Sequence, residues 1–532
     1  MSIRKLIALL LTLTVILCLF VGCTNREEPA PVNSNTPVGS GGSSGSTPSP
    51  TPDNDGEEED EIVTIEFWWR DMGNVGSSPG TRAVEEAVNA LTEEKINVHL
   101  NFHWIANADY GTQLNLAIVN KEVVDVIVTI PIPAASFATF YANGLYMDMT
   151  PYLEQYGQDV RALLGDDLIA ATTVDGVVYA LPVYRILNTN NYLCFRKDIL
   201  EELDMVGFVD SISTWSDYET VMQAVVDNYD MYGTGSGNAR LFSDGVYSPT
   251  DNLSDCYAVD SLGDNLRMVW SDDSGHIESA PERPESIDMC KRTRRWMDSG
   301  LVSPDSPYST RVTGLGTEAL CGQGVFACYM TGSEFGVDVN QSNLVGKPMK
   351  CIEIVTGKVR TATCQSWTMG ISVSAQEPEA AMKFINLIYT DPELMNLMVW
   401  GIEGENYFLI DGEACYPEGT DASTCGYHGM SFSIGNQFLL HPWKGEGANF
   451  YELAYQNFKS APISAYLGLT VDVSKVDNLV AALSVIHEEY WPQLSCGAYD
   501  DALYSEYLAK LKTGGVDEYL ALFQNAVDEF LA

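Results

Sequence analysis

Catalysis needs reactive side chains at set spacings, and this chain offers few of them. His487-Glu488-Glu489-Tyr490-Trp491 begins like a zinc-binding helix, but such a helix needs a second His four residues on, where Trp491 stands. Of the 6 His, only His99 and His103 fall at a metal-like interval. They lie in a run that alternates as a strand does, where positions i and i+4 are about 13 Å apart, too far to share one ion. Gly233-Thr234-Gly235-Ser236-Gly237 lacks the Lys and the following helix of a phosphate loop. Gly41-Gly42-Ser43-Ser44-Gly45 has the letters of a nucleophile elbow without its strand and helix. The acidic run Asp53 to Glu61 lacks the spaced ligands and central glycine of a calcium loop. Among 73 acidic residues a glycosidase-like pair is available anywhere and singled out nowhere. The reading is of a non-enzyme, with no catalytic residue, no metal and no cofactor.

One thiol is placed for chemistry by its position. Arg4 and Lys5 precede an apolar run from Leu6 to Val21, shorter than the roughly 20 residues of a spanning helix. Small Gly22 and then Cys23 follow, and the chain turns polar, which is the layout of a secretory signal. Phe20-Val21-Gly22-Cys23 resembles the lipobox of bacterial lipoproteins, with Phe where Leu is usual; the resemblance implies a signal peptide over 1–22 and a lipid on Cys23. Residues 23–61, rich in Pro, Gly, Ser, Thr and acid, form no core and read as a disordered tether of about 35 Å. Cys18 leaves with the signal. Ten further cysteines remain, none in a C-x-x-C pair. An even count in an exported chain allows disulfides, and Cys415 with Cys425 would close a short loop. Equally, Cys194, Cys328 and Cys351 sit in apolar runs as buried thiols would.

The elements that would position a site come next. The chain has 532 residues, 45% of them hydrophobic, too many for one core and enough for two or three lobes. Its formal charge of −44 repels phosphate backbones, which argues against nucleic acid. Val63 to Trp69 reads as a buried strand, and Thr81 caps a helix with apolar Val84, Ala87, Val88 and Leu91. Ile96 to Phe102 is a second strand, Tyr110 to Asn120 a helix, and Val123 to Ile130 a fully apolar third strand. This alternation predicts an α/β lobe with a largely parallel sheet, whose ligands gather at strand ends.

The order of these elements, with several short words, resembles the extracellular solute-binding proteins of bacterial ABC importers. The likeness is to the family 1 sugar-binding superfamily, and within it to LipO-like lipoproteins. The words are Val63 to Trp69, Tyr110 to Val128, Asn143 to Thr150, Asp175-Gly176-Val177-Val178-Tyr179-Ala180-Leu181-Pro182, Phe195 to Leu200, Glu377 to Met382 and Gly401 to Tyr407. Lys121 and Val124 depart from the usual Gly and Pro. The resemblance implies a two-lobed, periplasmic-binding-protein-like clamp of class II type, each lobe a sheet flanked by helices, joined by crossing hinge strands. It places lobe 1 at 62–190 plus 367–430 and lobe 2 at 191–366 plus 431–532, with a LipO-like C-terminal region at 461–532. Crossings are expected at 188–193, 365–369 and 426–436.

It further implies a lipid-anchored receptor on the extracytoplasmic face of the cell membrane. Acting as a monomer, it would capture a carbohydrate, an oligosaccharide above all, and present it to the transmembrane permease subunits of an ABC importer. Sugars have an apolar face and a polar rim, so a sugar cleft uses aromatic platforms and polar side chains. The residues implied are Trp68, Trp69 and Arg70 at the first strand's exit, Tyr110, Tyr184 and Arg185 near the first crossing, Gly332, Ser333 and Glu334, and Trp367. Successive strand residues point opposite ways, so one of Trp68 and Trp69 belongs to the core and one to the cleft. Gln437 and Trp443 are further candidates or a cap on lobe 2, and Trp296 reads as a helix-surface residue. Other readings are a surface carbohydrate-active enzyme or adhesin on a related fold, and a receptor for peptides or sugar acids.

Overall fold

The computed structural model describes residues 61–72, 75–235, 246–306 and 316–532. The signal segment, Cys23 and all but the last residue of the tether lie outside the described residues, as do Ser236 and Gly237. The principal elements begin with β1 (Val63–Asp71), α1 (Thr81–Ile96), β2 (Val98–Ala106), α2 (Tyr110–Val119), β3 (Val126–Thr129) and β4 (Ala180–Pro182). In β1, Ile65, Phe67 and Trp69 are buried and alternate with Glu66, Trp68 and Arg70 on the other face. α1 buries Thr81, Val84, Val88 and Thr92, a stripe at helical spacing. It ends at Asn97, whose left-handed φ of 55° returns its N–H to the Glu93 and Thr92 carbonyls. That turn delays β2, which starts at Val98 rather than Ile96 and then pairs with β1 in parallel to Ala106. All four residues of β3 are buried, as a strand covered on both faces requires.

The chain continues through β5 (Asn190–Arg196), α3 (Trp215–Asn228), β6 (Tyr232–Thr234), β7 (Val269–Ser271), β8 (Ile277–Ser279) and α4 (Pro284–Asp298). β9 (Phe326–Ser333), β10 (Met349–Val355), β11 (Thr368–Ile371), α5 (Pro378–Thr390), α6 (Pro392–Trp400) and α7 (Phe450–Ser460) follow. Three helices finish it: α8 (Asp477–Ser495), α9 (Asp501–Thr513) and α10 (Val516–Leu531). One sheet has the order β2-β1-β3-β11-β4, with β1, β2 and β3 parallel and β11 antiparallel to both its neighbours. The second has the order β10-β5-β9-β6, with β5 antiparallel to β9 and β10.

Each sheet has its own core. The first core takes Ile65 through Leu187 and then Val359 through Ala461; the second takes Leu193 through Val355 and then Tyr466 through Val527. The chain therefore crosses between Leu187 and Leu193, between Val355 and Val359, and between Ala461 and Tyr466. The third crossing expected at 426–436 lies some thirty residues later. The resemblance implies a crossing there, but Tyr184 N–H donates to the Gly435 carbonyl at 2.9 Å and Ile434, Leu440, Ala454 and Phe458 fill the first core. Residues 431–461 thus belong to the first lobe. Trp296 is a second correction: it is 1% exposed, inside the second core, with Nε1 donating to Glu219. All ten described cysteines are free thiols, Cys415 and Cys425 included.

Candidate functional site

In both sheets the strand ends that lead into the crossings face the same junction. On the first sheet, Thr129 at the end of β3, Thr368 at the start of β11 and Pro182 at the end of β4 lie side by side. On the second, Ser333 at the end of β9 is paired with Asn190 at the start of β5, and Val355 of β10 with Asn191. Ligands of open α/β sheets bind at such edges.

The first rim is aromatic. Trp69 is buried and stacks on Trp104 with centroids 4.9 Å apart. Arg70, on the opposite face of β1, donates from Nε to Asn107 Oδ1 and lies over the Trp367 ring at 5.8 Å. Burial lowers its pKa from the usual arginine value, an effect opposed by Tyr110. Trp367 in turn meets Phe432 edge-on at 5.4 Å. A guanidinium on an aromatic face is an attractive pair, and between the two partners Trp367 is left 7% exposed. The gap beside it, lined by Trp69, Arg70, Val75, Trp104, Met430 and Ser433, holds only about 10 Å³, a water and not a sugar ring.

The second rim is polar and is tied to the first. Arg185 donates to Glu334 Oε1 at 2.6 Å and to Ser366 Oγ at 2.9 Å. This joins the first lobe, just before the first crossing and at the approach to β11, to the exit of β9 in the second. The Arg185 side chain is 13% exposed and that of Glu334 34%. Burial raises the Glu334 carboxyl above the usual range, and the neighbouring guanidinium opposes that rise. Beside them Asn190 Nδ2 donates to Glu353 Oε2 at 2.9 Å, Tyr192 OH donates to the same oxygen at 3.3 Å, and Thr356 donates to Oε1 at 2.6 Å. Phe335, next after Glu334, crosses to Phe450 of α7 at 5.6 Å.

Not every expected residue is here. Arg70, Arg185, Ser333, Glu334 and Trp367 stand at the junction, with Gly332 one step back on β9 opposite Asn191. Trp68 faces away from Trp69: it stacks on His103 at 4.8 Å and donates to the Val123 carbonyl. Tyr110 is wholly buried and its hydroxyl donates to the Val128 carbonyl at 2.6 Å, so it supports β3 from beneath. Tyr184 is 2% exposed among Phe438, Tyr455 and Phe458. Gln437 and Trp443 lie on the first lobe, Trp443 against Trp400 at 4.8 Å, and do not cap the second. Asn107, Ser366, Phe432, Asn190 and Glu353 also stand at the junction and are not among the expected residues. Asn107 stands in the loop after β2, where strand-end logic alone would have flagged it; Phe432 reaches the site only through tertiary packing. Two larger depressions lie elsewhere, about 670 Å³ between α1 and α6 and about 470 Å³ around Arg161, and none of the expected residues lines either. Among the described residues no group of three or more His, Cys, Asp or Glu is placed to hold a metal.

Two sheets with separate cores and three crossings between them define a two-lobed clamp of the solute-binding type. The chain belongs to the bacterial extracellular solute-binding protein family, which it matches over residues 86–402, more than half its length. Residues 465–532 match a domain of unknown function, DUF3502. It is 22% identical over 448 residues to a carbohydrate ABC transporter substrate-binding protein of Streptococcus pneumoniae serotype 4, covering 83% of this chain and 87% of that one. It is 20% identical over 349 residues to the polygalacturonan/rhamnogalacturonan-binding protein YtcQ of Bacillus subtilis, covering 62% and 64%. The fold matches that of the N-glycan transport solute binding protein NgtS of Streptococcus pneumoniae with a TM-score of 0.73 at 20% identity, covering 88% of this chain and 99% of that one. It also matches FusA of the same species, solved with kestose, with a TM-score of 0.58 at 14% identity, covering 88% and 99%.

Proposed function

We propose that this protein is the lipid-anchored receptor of an ABC importer. It acts as a monomer outside the cytoplasmic membrane, closes its lobes on an oligosaccharide and presents the loaded clamp to the permease. The observation that carries the reading is the Arg70–Trp367–Phe432 cluster at the first rim, with Arg185 of the same lobe reaching Glu334 near Asn190 of the other. A pyranose needs a flat apolar surface for its C–H face and charged or amide groups for its hydroxyls, and this junction supplies one on each side. The carbohydrate named for the Streptococcus pneumoniae relative, and the N-glycan and kestose named for the structural neighbours, support the ligand class. Cys23 carries the anchor, at the end of a signal-like segment.

The test is a thermal-shift and calorimetric screen of the purified chain against neutral oligosaccharides, sugar acids and peptides. Binding to the folded clamp raises Tm by mass action, by about 2.7 kcal/mol of stability at a hundredfold excess over Kd. A rise with one family of neutral glycans, with no turnover of the glycan, is expected. A rise only with peptides or sugar acids would sink the neutral-sugar assignment, and consumption of the ligand would sink the receptor reading. Loss of membrane attachment in Cys23→Ser, read by fractionation and mass spectrometry, is expected for the anchor.

A further inference from the structure

The C-terminal helices α8–α10 build no part of the junction described above, yet one short turn connects them to two of the three crossings. That turn, Asp272 to His276, joins β7 to β8. From one side α10 grips it: Gln524 Nε2 donates to the Gly275 carbonyl at 2.8 Å, and Gln524 Oε1 accepts from Ile277 N–H at 3.0 Å. Gly275 has φ +95°, and a Cβ there would fall 2.9 Å from Leu531 Cδ1, so the helix end lies directly on the turn. From the other side the crossings grip it. Tyr466, 1% exposed in the third crossing, accepts from Gly275 N–H at 3.0 Å and donates to the Asp272 carbonyl. Lys358, in the second crossing, pairs with Asp273 at 2.6 Å.

The two crossings are also paired with each other. Val359 N–H donates to the Pro462 carbonyl at 2.8 Å and Ser464 N–H to the Val359 carbonyl at 2.9 Å. Thr361 Oγ1 donates to the Tyr466 carbonyl at 3.2 Å and accepts from Gly468 N–H at 2.8 Å. A continuous path of hydrogen bonds thus runs from α10 through the turn into both crossings. The base of the unit is fixed to lobe 2 independently, by Tyr519 OH donating to the buried Asp264 at 2.8 Å and by Tyr504 OH donating to the Pro281 carbonyl at 2.7 Å.

We infer that the C-terminal helical region is a hinge brace: through the 272–277 turn it holds the second and third crossings against lobe 2 and narrows the range of angles the clamp samples. Gln524, Tyr466 and Lys358 are its positioning residues. The inference rests on the two-lobed clamp and not on the ligand, so a failed glycan screen leaves it standing.

Hydrogen–deuterium exchange on the full chain, without ligand, tests it. Gln524→Ala removes both bonds to the turn, and Tyr466→Phe approaches the same turn from the hinge, so that one variant remains if the other folds poorly. Lys512→Ala is the control, because among the described residues Lys512 of α9 pairs with Glu282 at 3.3 Å, away from the turn. The expected result is exchange accelerated roughly fivefold per lost bond in 272–277 and also in 356–366 and 461–468, with the control unchanged in those segments. Acceleration by Gln524→Ala confined to the turn and α10, with both crossings at their original rates, would overturn the brace. Uniform acceleration along the whole chain, matched by Lys512→Ala, would overturn it equally.

Discussion

Around the crossings the first lobe presents rings and the second presents amides and carboxylates. Trp69 stacks on Trp104 and Trp367 meets Phe432 edge-on, with the Arg70 guanidinium over Trp367 and the Glu85 carboxylate accepting from Trp104. Asn190, Tyr192, Glu353 and Thr356 are joined by hydrogen bonds, with Glu334 reaching across to Arg185. Stacked rings lose little freedom when a ligand arrives, whereas a hydrogen-bonded polar set must exchange partners. Under the proposed function, shape would be set by the first rim and discrimination among hydroxyl patterns by the second.

The largest expected effect comes from breaking the ring side. Trp367→Ala takes a buried indole from the first core and should cost about 3–5 kcal/mol of stability. It should also lower glycan affinity on the order of 100-fold, as loss of a central aromatic anchor does. Calorimetry at a temperature where the variant is folded separates the two effects. Trp367→Phe should recover most of the stability and part of the affinity. Equal affinity in the wild type and Trp367→Ala would mean the platform lies elsewhere.

A smaller effect is expected from the polar side. Glu334→Gln keeps the shape and removes the charge facing Arg185. With a third of the Glu334 side chain exposed, the loss should be roughly 1 kcal/mol. Because the pair joins the first lobe, just before the first crossing, to lobe 2, the radius of gyration in solution scattering should rise without ligand and return with a saturating glycan. No change in either would make the pair incidental.

The two lobes also differ in how acid reaches them. His428 packs against Trp400 and Trp443 in the first lobe, and burial lowers its pKa to about 4. His487 stacks on Trp491 in the C-terminal region, where burial, then Arg267, lowers its pKa to about 3. Both are neutral when folded, while an unfolded His takes a proton below about pH 6.5. The unfolded chain thus binds more protons below that pH, so stability is full above about 6.5 and falls as pH drops toward 4 and then 3. Tm measured from pH 7 to 4 should decline, and His487→Gln should flatten the decline at its acid end more than His428→Gln. A Tm independent of pH over that range would contradict both placements.

How much of this was legible depended on how local each signal was. The strand–helix–strand opening is set by periodicity within about ten residues, and Val63, Tyr110 and Val126 stand within three residues of the expected element starts. Arg185 and Glu334 could be read as cleft residues, but their pairing spans 149 positions and has no local trace. The third crossing at 426–436 was implied by the family resemblance alone, whereas its true position is set by which core Phe450 and Phe458 fill. Tyr110 was taken from its place at a helix start; its burial follows from the β3 carbonyl above it, which only the folded sheet provides.

The Trp68–Trp69 pair shows the same limit and yields the smallest predicted effect. Strand alternation requires the two rings to point apart, but which one faces the junction depends on where α1 packs, and parity alone is silent on that. The structure puts Trp69 with Trp104 beside Arg70 and Trp68 over His103, whose Nε2 lies 2.5 Å from Glu66. Trp68→Phe keeps a ring on His103 and gives up one bond to the Val123 carbonyl. Glycan affinity should then stay within about twofold of wild type, the range of changes made away from a site. A tenfold loss in Trp68→Phe, at unchanged Tm, would mean that sugar reaches both faces of β1, and the division between a ring rim and a polar rim would fall with it.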